Sequence, residues 1–418
     1  MQMVERRRQL HRRPEVGFCE FFTASVVISE LALLGYELQW GSAVTDLLAV
    51  RGLPEREEMV NAKRRAVAYG ADSGLVDELD AGGTAVVARL TGSRPGPVTA
   101  LRFDMDALPV TESDHHSHPP ARLGFRSVHQ GQMHACGHDG HVAIGLALAE
   151  RLADRDFAGE VRLVFQPAEE GGRGAAPMVA AGVCDGVDRL ICLHLGLNLP
   201  LGAIAVGSRG FFANSKLQAF FEGVPAHAAA APEQGRNALL GAATALLNIH
   251  ALPRFSTADT RVNVGTLWGG TAANIIAADA QMMIETRATA GEVNVELARR
   301  VRGILMHAAA MHELQVRVED IGAATTATCD PDLVATLRRA AEALPGPVDI
   351  TDDHDVKVSD DATVLMRAVQ AHGGLATYVV VGASSPGPHH SPTFDIDERS
   401  LPLSVDLLQA TLKGTVDV

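Results

Sequence analysis

The chain has 418 residues, of which 47% are hydrophobic and 21% charged, and this length predicts two or three domains or one large domain with an insertion. Its formal net charge of −14 argues against a nucleic acid as the main partner, because phosphate binding requires a basic surface. No apolar run reaches the roughly 18 residues of a membrane span, so no membrane association is expected.

The first half of the chain predicts an α/β domain. Residues 3–34 are expected to be mostly helical with a break near Pro14, and the polar stretch 54–80 predicts an inserted pair of helices. Strands are expected at 84–90, 98–105, 160–167 and 188–195, and a helix at 141–155. Strands that alternate with helices in this way predict an α/β sheet.

The sequence pattern changes near residue 208. Strand-like segments at 216–223, 261–270 and 280–288 and helical runs at 238–252 and 295–312 predict a small α+β layer of about four strands and two helices. From about residue 325 the α/β pattern returns, with a buried strand at 377–382. We therefore expect two domains: a main domain formed by 1–208 and 325–418, and a smaller one formed by 209–324.

Potential metal-binding side chains are concentrated in the stretch MHACGHDGH, residues 133–141. Cys136 and His138 can place a thiolate and an imidazole on one ion, and both groups are good ligands for zinc and related ions. The glycines fit a tight loop that brings such ligands together. The alternative is a loop with solvent-facing histidines, and the stretch alone leaves that alternative open.

Further polar groups follow other predicted strands. Glu169 and Glu170 come after one strand, His194 closes another, and His389 and His390 follow a third. One glutamate can bind a metal ion while its neighbour acts as a general base. Each cluster has an alternative explanation when it is taken singly. The two glutamates fit an acidic turn, His194 fits a core histidine with satisfied hydrogen bonds, and the two histidines fit a surface turn. Because sites form beyond the carboxyl ends of strands, we expect all four clusters at strand ends of one sheet, where together they predict one site.

The stretch RFDMDAL adds two carboxylates, Asp104 and Asp106, at one more predicted strand end. A carboxylate in this position can orient a metal-binding histidine. A helix cap or a turn aspartate is the alternative interpretation.

On these residues the sequence resembles the M20 metallopeptidase family. The motifs RFDMDALP, HACGHDGH, QPAEEG, the strand-end His194 and HHSPTFD occur in this order over nearly the whole chain. The resemblance is to the amidohydrolase branch, and within it to the A chains of aminobenzoyl-glutamate hydrolases and to bacterial indole-acetyl-aspartate hydrolases. It implies a two-domain fold in which a zinc-peptidase-like α/β catalytic domain carries an inserted, smaller α+β lid or dimerisation domain.

The resemblance further implies two divalent metal ions, Mn or Zn. Glu169 matches the general base, and Asp106 matches the carboxylate behind a ligand histidine. His390 is preferred over His389 because it directly precedes the Ser-Pro of the family pattern. The implied metal ligands are Cys136, which would lie between the ions, and His138, Glu170, His194 and His390.

For the smaller domain the resemblance implies contacts to substrate. His227 matches a lid histidine that reaches the substrate carbonyl, often in the partner protomer. Asn274 and Arg287 match residues that hold the substrate carboxylate or carbonyl, although a surface charge on a strand is another interpretation of Arg287. The implied assembly is a homodimer, or a complex with a second, related chain.

The implied reaction is metal-dependent hydrolysis of the amide bond of an N-acyl amino acid such as aminobenzoyl-glutamate. Indole-acetyl-aspartate, hippurate and dipeptides are alternative substrates. A non-catalytic metal-binding relative is disfavoured because Glu169 and all five ligands are present. A serine hydrolase is disfavoured because the chain has no G-x-S-x-G elbow. A cysteine hydrolase with Cys136 as nucleophile is disfavoured because a metal-bound thiolate would be quenched.

The five cysteines, an odd number in a long chain, favour a reducing cytoplasm.

Overall fold

The computed structural model describes residues 3–79 and 83–414. They divide into two compact units: the described residues within Met1–Gly210, Ala327–Lys357 and Asp361–Val418 form one, and Phe211–Thr326 with Val358–Asp360 form the other. Asp80, the last residue of the predicted insertion 54–80, lies outside the described residues.

The strands and helices are numbered in chain order. The strands are β1 (Glu37–Trp40), β2 (Val86–Thr91), β3 (Arg94–Asp104), β4 (Ala158–Gln166), β5 (Arg189–Leu195), β6 (Ala203–Ala205), β7 (Ser208–Arg209), β8 (Ala213–Glu222), β9 (Thr260–Gly269), β10 (Asp279–Ala288), β11 (Gln315–Ala324), β12 (Asp349–Thr351), β13 (His354–Asp355) and β14 (Leu375–Val381). The helices are α1 (Met3–His11), α2 (Phe21–Leu33), α3 (Arg56–Ala68), α4 (Ser73–Glu78), α5 (Pro119–Leu123), α6 (His138–Leu152), α7 (Ala175–Ala180), α8 (Ala238–His250), α9 (Gly291–Met311), α10 (Pro331–Glu342), α11 (Ala362–Ala371) and α12 (Ser400–Lys413).

The larger unit is built on a mixed sheet with the strand order β1-β2-β4-β3-β5-β14-β6-β12. The four central strands β4, β3, β5 and β14 are parallel, whereas β2 and β6 run antiparallel to them. This confirms the predicted α/β sheet and its predicted strands. Because the carboxyl ends of parallel strands meet at one edge, Asp104, Gln166, Leu195 and Val381 end their strands on the same side.

Helices cover this sheet because alternate residues of its central strands are apolar on both faces. Leu101 and Ile191 belong to one hydrophobic cluster with residues of α6 and α12, while Ala100 and Cys192, on the opposite face, are also buried. Gly145 allows α6 to approach closely, since a Cβ there would lie 2.9 Å from the rings of Phe103 and Phe165. The predicted helices at the N-terminus and in the insertion are confirmed as the pairs α1–α2 and α3–α4.

The smaller unit is an antiparallel sheet of order β11-β8-β10-β9 with α8 and α9 packed on it. Its core contains Leu217, Phe221, Met282 and Leu305. Burial alternates along β9 and β10, as expected for a sheet with one face in a core. The predicted layer of about four strands and two helices is confirmed.

The helices and the cysteines bear on the expectations about membrane spans and disulfide bonds. None of the helices that the structure describes is long and apolar enough to cross a membrane. All five cysteines are free thiols.

Candidate metal centre

Cys136 and His138 are brought together by a turn at Gly137. Gly137 has φ +92°, a conformation that favours glycine, and α6 begins at the next residue. The Sγ of Cys136 lies 3.5 Å from Nε2 of His194. Ligand atoms of Cys136, His138 and His194 all lie within 4.8 Å of one another. We expected this stretch at a strand end, and that placement is wrong: a long loop separates it from β3, and it starts a helix.

The orientation of His138 leaves one of its ring nitrogens available. Its Nδ1–H donates to the main-chain oxygen of Asp106 at 2.8 Å, so Nε2 is the nitrogen that can offer a lone pair to a cation once its proton is displaced. This Nε2 lies 3.9 Å from Oε1 of Glu170. Both atoms are buried and have no hydrogen-bond partner within the described part of the chain. Buried polar atoms without a partner are rare, and a cation between them would satisfy both.

The two glutamates are held by their main chain. The N–H of Glu169 donates to Oδ1 of Asp106 at 2.9 Å, and the N–H of Glu170 donates to Oδ2 at 3.0 Å. Ala168, directly before them, has φ +51°, which is strained for a residue with a Cβ. Asp106 therefore contacts both glutamates and His138, and it fixes the turn in which the glutamates lie.

The two neighbouring histidines after β14 occupy different positions. His390 brings Nε2 to 3.3 Å from Oε2 of Glu170, whereas Nε2 of His389 donates to the carbonyl of Leu195 at 3.3 Å. His390 also has a strained backbone, with φ +64°, and its N–H donates to the carbonyl of Ala135. The geometry thus favours His390 over His389 as the ligand.

Cys136 belongs to two groups of possible ligands. One is formed with His138 and His194, and the other with Glu170 and His390, each with ligand atoms within 4.8 Å of one another. Thiolate, imidazole and carboxylate are the donors that bind zinc and related divalent ions. The residues present therefore fit a metal centre in which one cysteine serves both groups.

The electrostatics of the site favour a cation. Burial raises the pKa of Glu170, His138 opposes this, and Asp106 and Asp104 raise it further, to about 8. Burial lowers the pKa of His138, but Asp104 and the hydrogen bond with Asp106 raise it to about 10. Glu170 and His138 therefore both retain a proton at neutral pH when no metal is bound. Divalent cations that bind here would displace those protons.

A buried network behind the site joins Asp104 to His141 and Arg102, two residues that the sequence analysis did not single out. Nδ1–H of His141 donates to Oδ1 of Asp104, whose other oxygen accepts from Arg102 at 2.5 Å. All three side chains are buried. His141 was visible as the last residue of MHACGHDGH, and its spacing of three from His138 along a helix was the available signal.

The remaining predicted site residues lie in the smaller unit. His227 and Asn274 are on adjacent segments, since Ala228 N–H donates to the carbonyl of Asn274 at 3.0 Å. Arg287, on β10, forms two hydrogen bonds of 2.9 Å with the carboxylate of Glu285 on the same strand. The guanidinium is thus already held in the geometry that suits a carboxylate.

The sequence matches the model of a known protein family and is similar to proteins of known activity. The model of "Peptidase family M20/M25/M40" matches residues 100–414. An indole-3-acetyl-aspartic acid hydrolase from Enterobacter agglomerans is 43% identical over 98% of this chain and 95% of its own. The A chain of a p-aminobenzoyl-glutamate hydrolase from Escherichia coli K12 is 41% identical over 97% of this chain and 94% of its own.

Solved structures agree in fold. An aminobenzoyl-glutamate utilization protein from Klebsiella pneumoniae superposes with a TM-score of 0.84 at 36% identity, covering 100% of this chain and 97% of its own. A dinuclear metal-binding M20 peptidase from Bacillus subtilis, at 22% identity and a TM-score of 0.67, shares the fold over 99% of this chain and 98% of its own. The chain belongs to the peptidase family M20/M25/M40.

Proposed function

We propose that this amidohydrolase cleaves an N-acyl amino acid at a centre of two divalent cations. The observation that carries the proposal is the pair of donor groups that share Cys136, one with His138 and His194, the other with Glu170 and His390. The buried, unpartnered atoms of His138 and Glu170 support the same assignment. When bound, such cations supply Lewis acidity, which lowers the pKa of water and polarises a carbonyl.

The residues around the cations carry the proton transfers. Glu169 lies beside the proposed ligands, with Oε2 4.0 Å from Nε2 of His138, and its main chain is held by Asp106. We assign to Glu169 the removal of a proton from the attacking water and its delivery to the leaving amine nitrogen. Asp106 keeps His138 in the tautomer that presents Nε2, and it keeps Glu169 in place.

Residues of the smaller unit are assigned to substrate binding. Arg287 and Asn274 would hold the carboxylate of the amino-acid half, and His227 would donate to the carbonyl of the scissile amide. Support comes from the family motifs around these residues.

The names of the relatives support an aromatic acyl group and an acidic amino acid. Both p-aminobenzoyl-glutamate and indole-3-acetyl-aspartate join such an acyl group to glutamate or aspartate. We propose p-aminobenzoyl-glutamate as the substrate, because both a relative and a solved structure of high similarity carry its name. Indole-acetyl-aspartate is the second candidate, although its hydrolase is slightly the more identical in sequence. Hippurate and dipeptides are weaker candidates.

Assembly, metal identity and location are part of the proposal. We propose a homodimer or a complex with a related second chain, and support for the complex comes from the Escherichia coli relative, whose name describes it as one subunit of its enzyme. We propose Mn or Zn as the metal and a cytoplasmic location, which the free cysteines support.

The test is amide hydrolysis by the purified protein. p-Aminobenzoyl-glutamate, indole-acetyl-aspartate and hippurate are each incubated with Mn²⁺, with Zn²⁺ and with a chelator, and the released amino acid is measured. We expect metal-dependent cleavage, fastest for one of the two acidic conjugates. Cleavage that survives the chelator would contradict the metal centre. Loss of activity on alkylation in that metal-free state would indicate a cysteine nucleophile instead.

A further inference from the structure

His141 is held by two hydrogen bonds that fix its proton. Its Nδ1–H donates to Oδ1 of Asp104, and its Nε2 accepts from the main-chain N–H of Leu195 at 3.0 Å. An imidazole that accepts at Nε2 and donates at Nδ1 has a single neutral tautomer. Arg102 in turn binds the second oxygen of Asp104, so the carboxylate cannot rotate away.

Leu195 connects this network to a candidate metal ligand. It directly follows His194 at the end of β5, and its carbonyl accepts from Nδ1–H of His194 at 2.8 Å. The hydrogen bond at Nδ1 leaves Nε2 of His194 free of a proton, and Nε2 faces Sγ of Cys136 at 3.5 Å. The main-chain N–H of Leu195 therefore donates to His141, and the carbonyl of the same residue orients His194.

His141 also lies between two candidate ligands. Its ring centroid is 5.3 Å from that of His138 and 4.8 Å from that of His194. The side chain is fully buried, so no solvent competes for its two hydrogen bonds. Packing alone would require a ring of this size but neither of the hydrogen bonds.

We propose that His141 is a positioning residue that sets the direction of the His194 imidazole by holding the main chain of Leu195. The proposal rests on the proposed role of His194 as a metal ligand. His141 acts through this hydrogen bond and not as a ligand, because Nδ1 is occupied by Asp104 and Nε2 by the N–H of Leu195. Partners of this kind change metal affinity by about 10- to 100-fold when they are removed.

Two substitutions separate the two hydrogen bonds of His141. In H141N the side-chain amide can still donate to Asp104, but it is too short to accept from Leu195. In H141Q the amide oxygen reaches the position of Nε2 and accepts from Leu195, while the donor to Asp104 is lost. We expect H141N to weaken Mn²⁺ binding about 10- to 100-fold by calorimetry, and H141Q to weaken it by less than about 3-fold.

A double-mutant cycle with His194→Ala tests whether His141 acts through His194. In the H194A protein, H141N should cause no further loss of Mn²⁺ affinity. The matched control is His312→Asn, which removes a histidine that is hydrogen-bonded to Thr244 in the smaller unit and should leave Mn²⁺ affinity unchanged. Thermal unfolding without metal confirms that each variant is folded.

Three results would overturn the proposal: H141N binding Mn²⁺ as tightly as wild type, equal losses in H141N and H141Q, or additive losses in the cycle. If H141N does not fold, the H141Q result decides alone, and a loss above 10-fold there refutes the role of Leu195. Failure of the wild-type protein to bind Mn²⁺ or Zn²⁺ at all would instead refute the proposed metal centre.

Discussion

Glu169 and Glu170 are adjacent in sequence and differ in their surroundings. Glu170 has one oxygen toward His390 and the other toward His138, whereas Glu169 lies at the edge of that group. A ligand and a base can therefore be neighbours because the turn at Ala168 directs their side chains differently. This difference can be tested by substituting each one by its amide.

We expect Glu169→Gln to lower kcat by roughly 10²- to 10⁴-fold, because a glutamine cannot carry the proton from water to the leaving amine. Metal content, measured by atomic emission, should stay at the wild-type value, since the main-chain contact to Asp106 is unchanged. Glu170→Gln is the matched control and should lower metal content. A Glu169→Gln enzyme with more than a tenth of wild-type kcat would refute the assignment of the base.

At Arg287 we expect substitution by Gln to raise KM about 10- to 100-fold for a substrate with a free carboxylate, the loss expected for a charge-assisted hydrogen-bond pair. Arg261, which faces Arg287 on the neighbouring strand, is the matched control, and Arg261→Gln should leave KM unchanged. Initial rates are compared for the substrate with its free carboxylate and for the same compound with that carboxylate converted to a carboxamide. An equal change in KM for both would show that Arg287 does not bind the carboxylate.

Among the elements, α6 carries both the start of the candidate centre and a close contact with the sheet. Gly145 faces the rings of Phe103 and Phe165 with no space for a Cβ. Alanine is the better helix former by about 1 kcal/mol, but the clash is with two buried rings in a packed core. The clash should therefore dominate.

We expect Gly145→Ala to lower the free energy of unfolding by about 1–3 kcal/mol, as overpacking of a core does. The control is Gly303→Ala in α9, where a Cβ meets nothing within 4 Å, and this variant should be stabilised by up to about 1 kcal/mol. Urea unfolding curves measure both. A stabilised Gly145→Ala protein would show that α6 can move away from the sheet at little cost.

The strand-end residues show how far the sequence predicts the site. Asp104, Asp106, Glu169 and His194 could be found because apolar strands precede them and parallel strands end at one edge. Cys136 and His138 could be found from their residue types, but their position at the start of a helix could not, because the loop before α6 has no periodic pattern. The role of Leu195 could not be predicted either, because it acts through main-chain atoms that every residue has. The mixed strand order and the antiparallel edge strands also leave no mark on residue types.

At the scale of the whole molecule, buried ionisable groups make stability depend on pH. Burial and Arg7 lower the pKa of His11, but its hydrogen bonds with Asp139 and Glu112 raise it to about 9. Burial raises the pKa of Glu15 to about 7 despite hydrogen bonds from the main chain. Both pKa values lie above the ordinary values of 6.5 and 4.5, so both groups bind a proton more tightly in the folded state. Their contribution to stability is therefore complete at low pH and is lost as pH rises through the folded pKa values.

We expect the His11 contribution to the free energy of unfolding of the metal-free protein, at most about 3 kcal/mol, to be lost as pH rises from about 6.5 to about 9. Chemical denaturation in the presence of a chelator measures it. In His11→Gln the fall between pH 6.5 and 9 should be smaller. Burial raises the pKa of Glu112, but His11 and His118 lower it to about 2. Protonation of Glu112 should therefore reduce stability only in acid. Stability that rises from pH 6.5 to 9 would contradict the His11 network.

The position of the smaller unit in the chain has a consequence for biosynthesis. Four of the candidate ligands, from Cys136 to His194, precede Phe211–Thr326, and the fifth, His390, follows it. At about 5–20 residues per second, a ribosome needs roughly 10–40 s to extend the nascent chain from His194 to His390. During that time Cys136 and Glu170 are made but lack the histidine that completes their group. The proposed centre therefore cannot be completed before His390 has been translated and the inserted unit has left the ribosome.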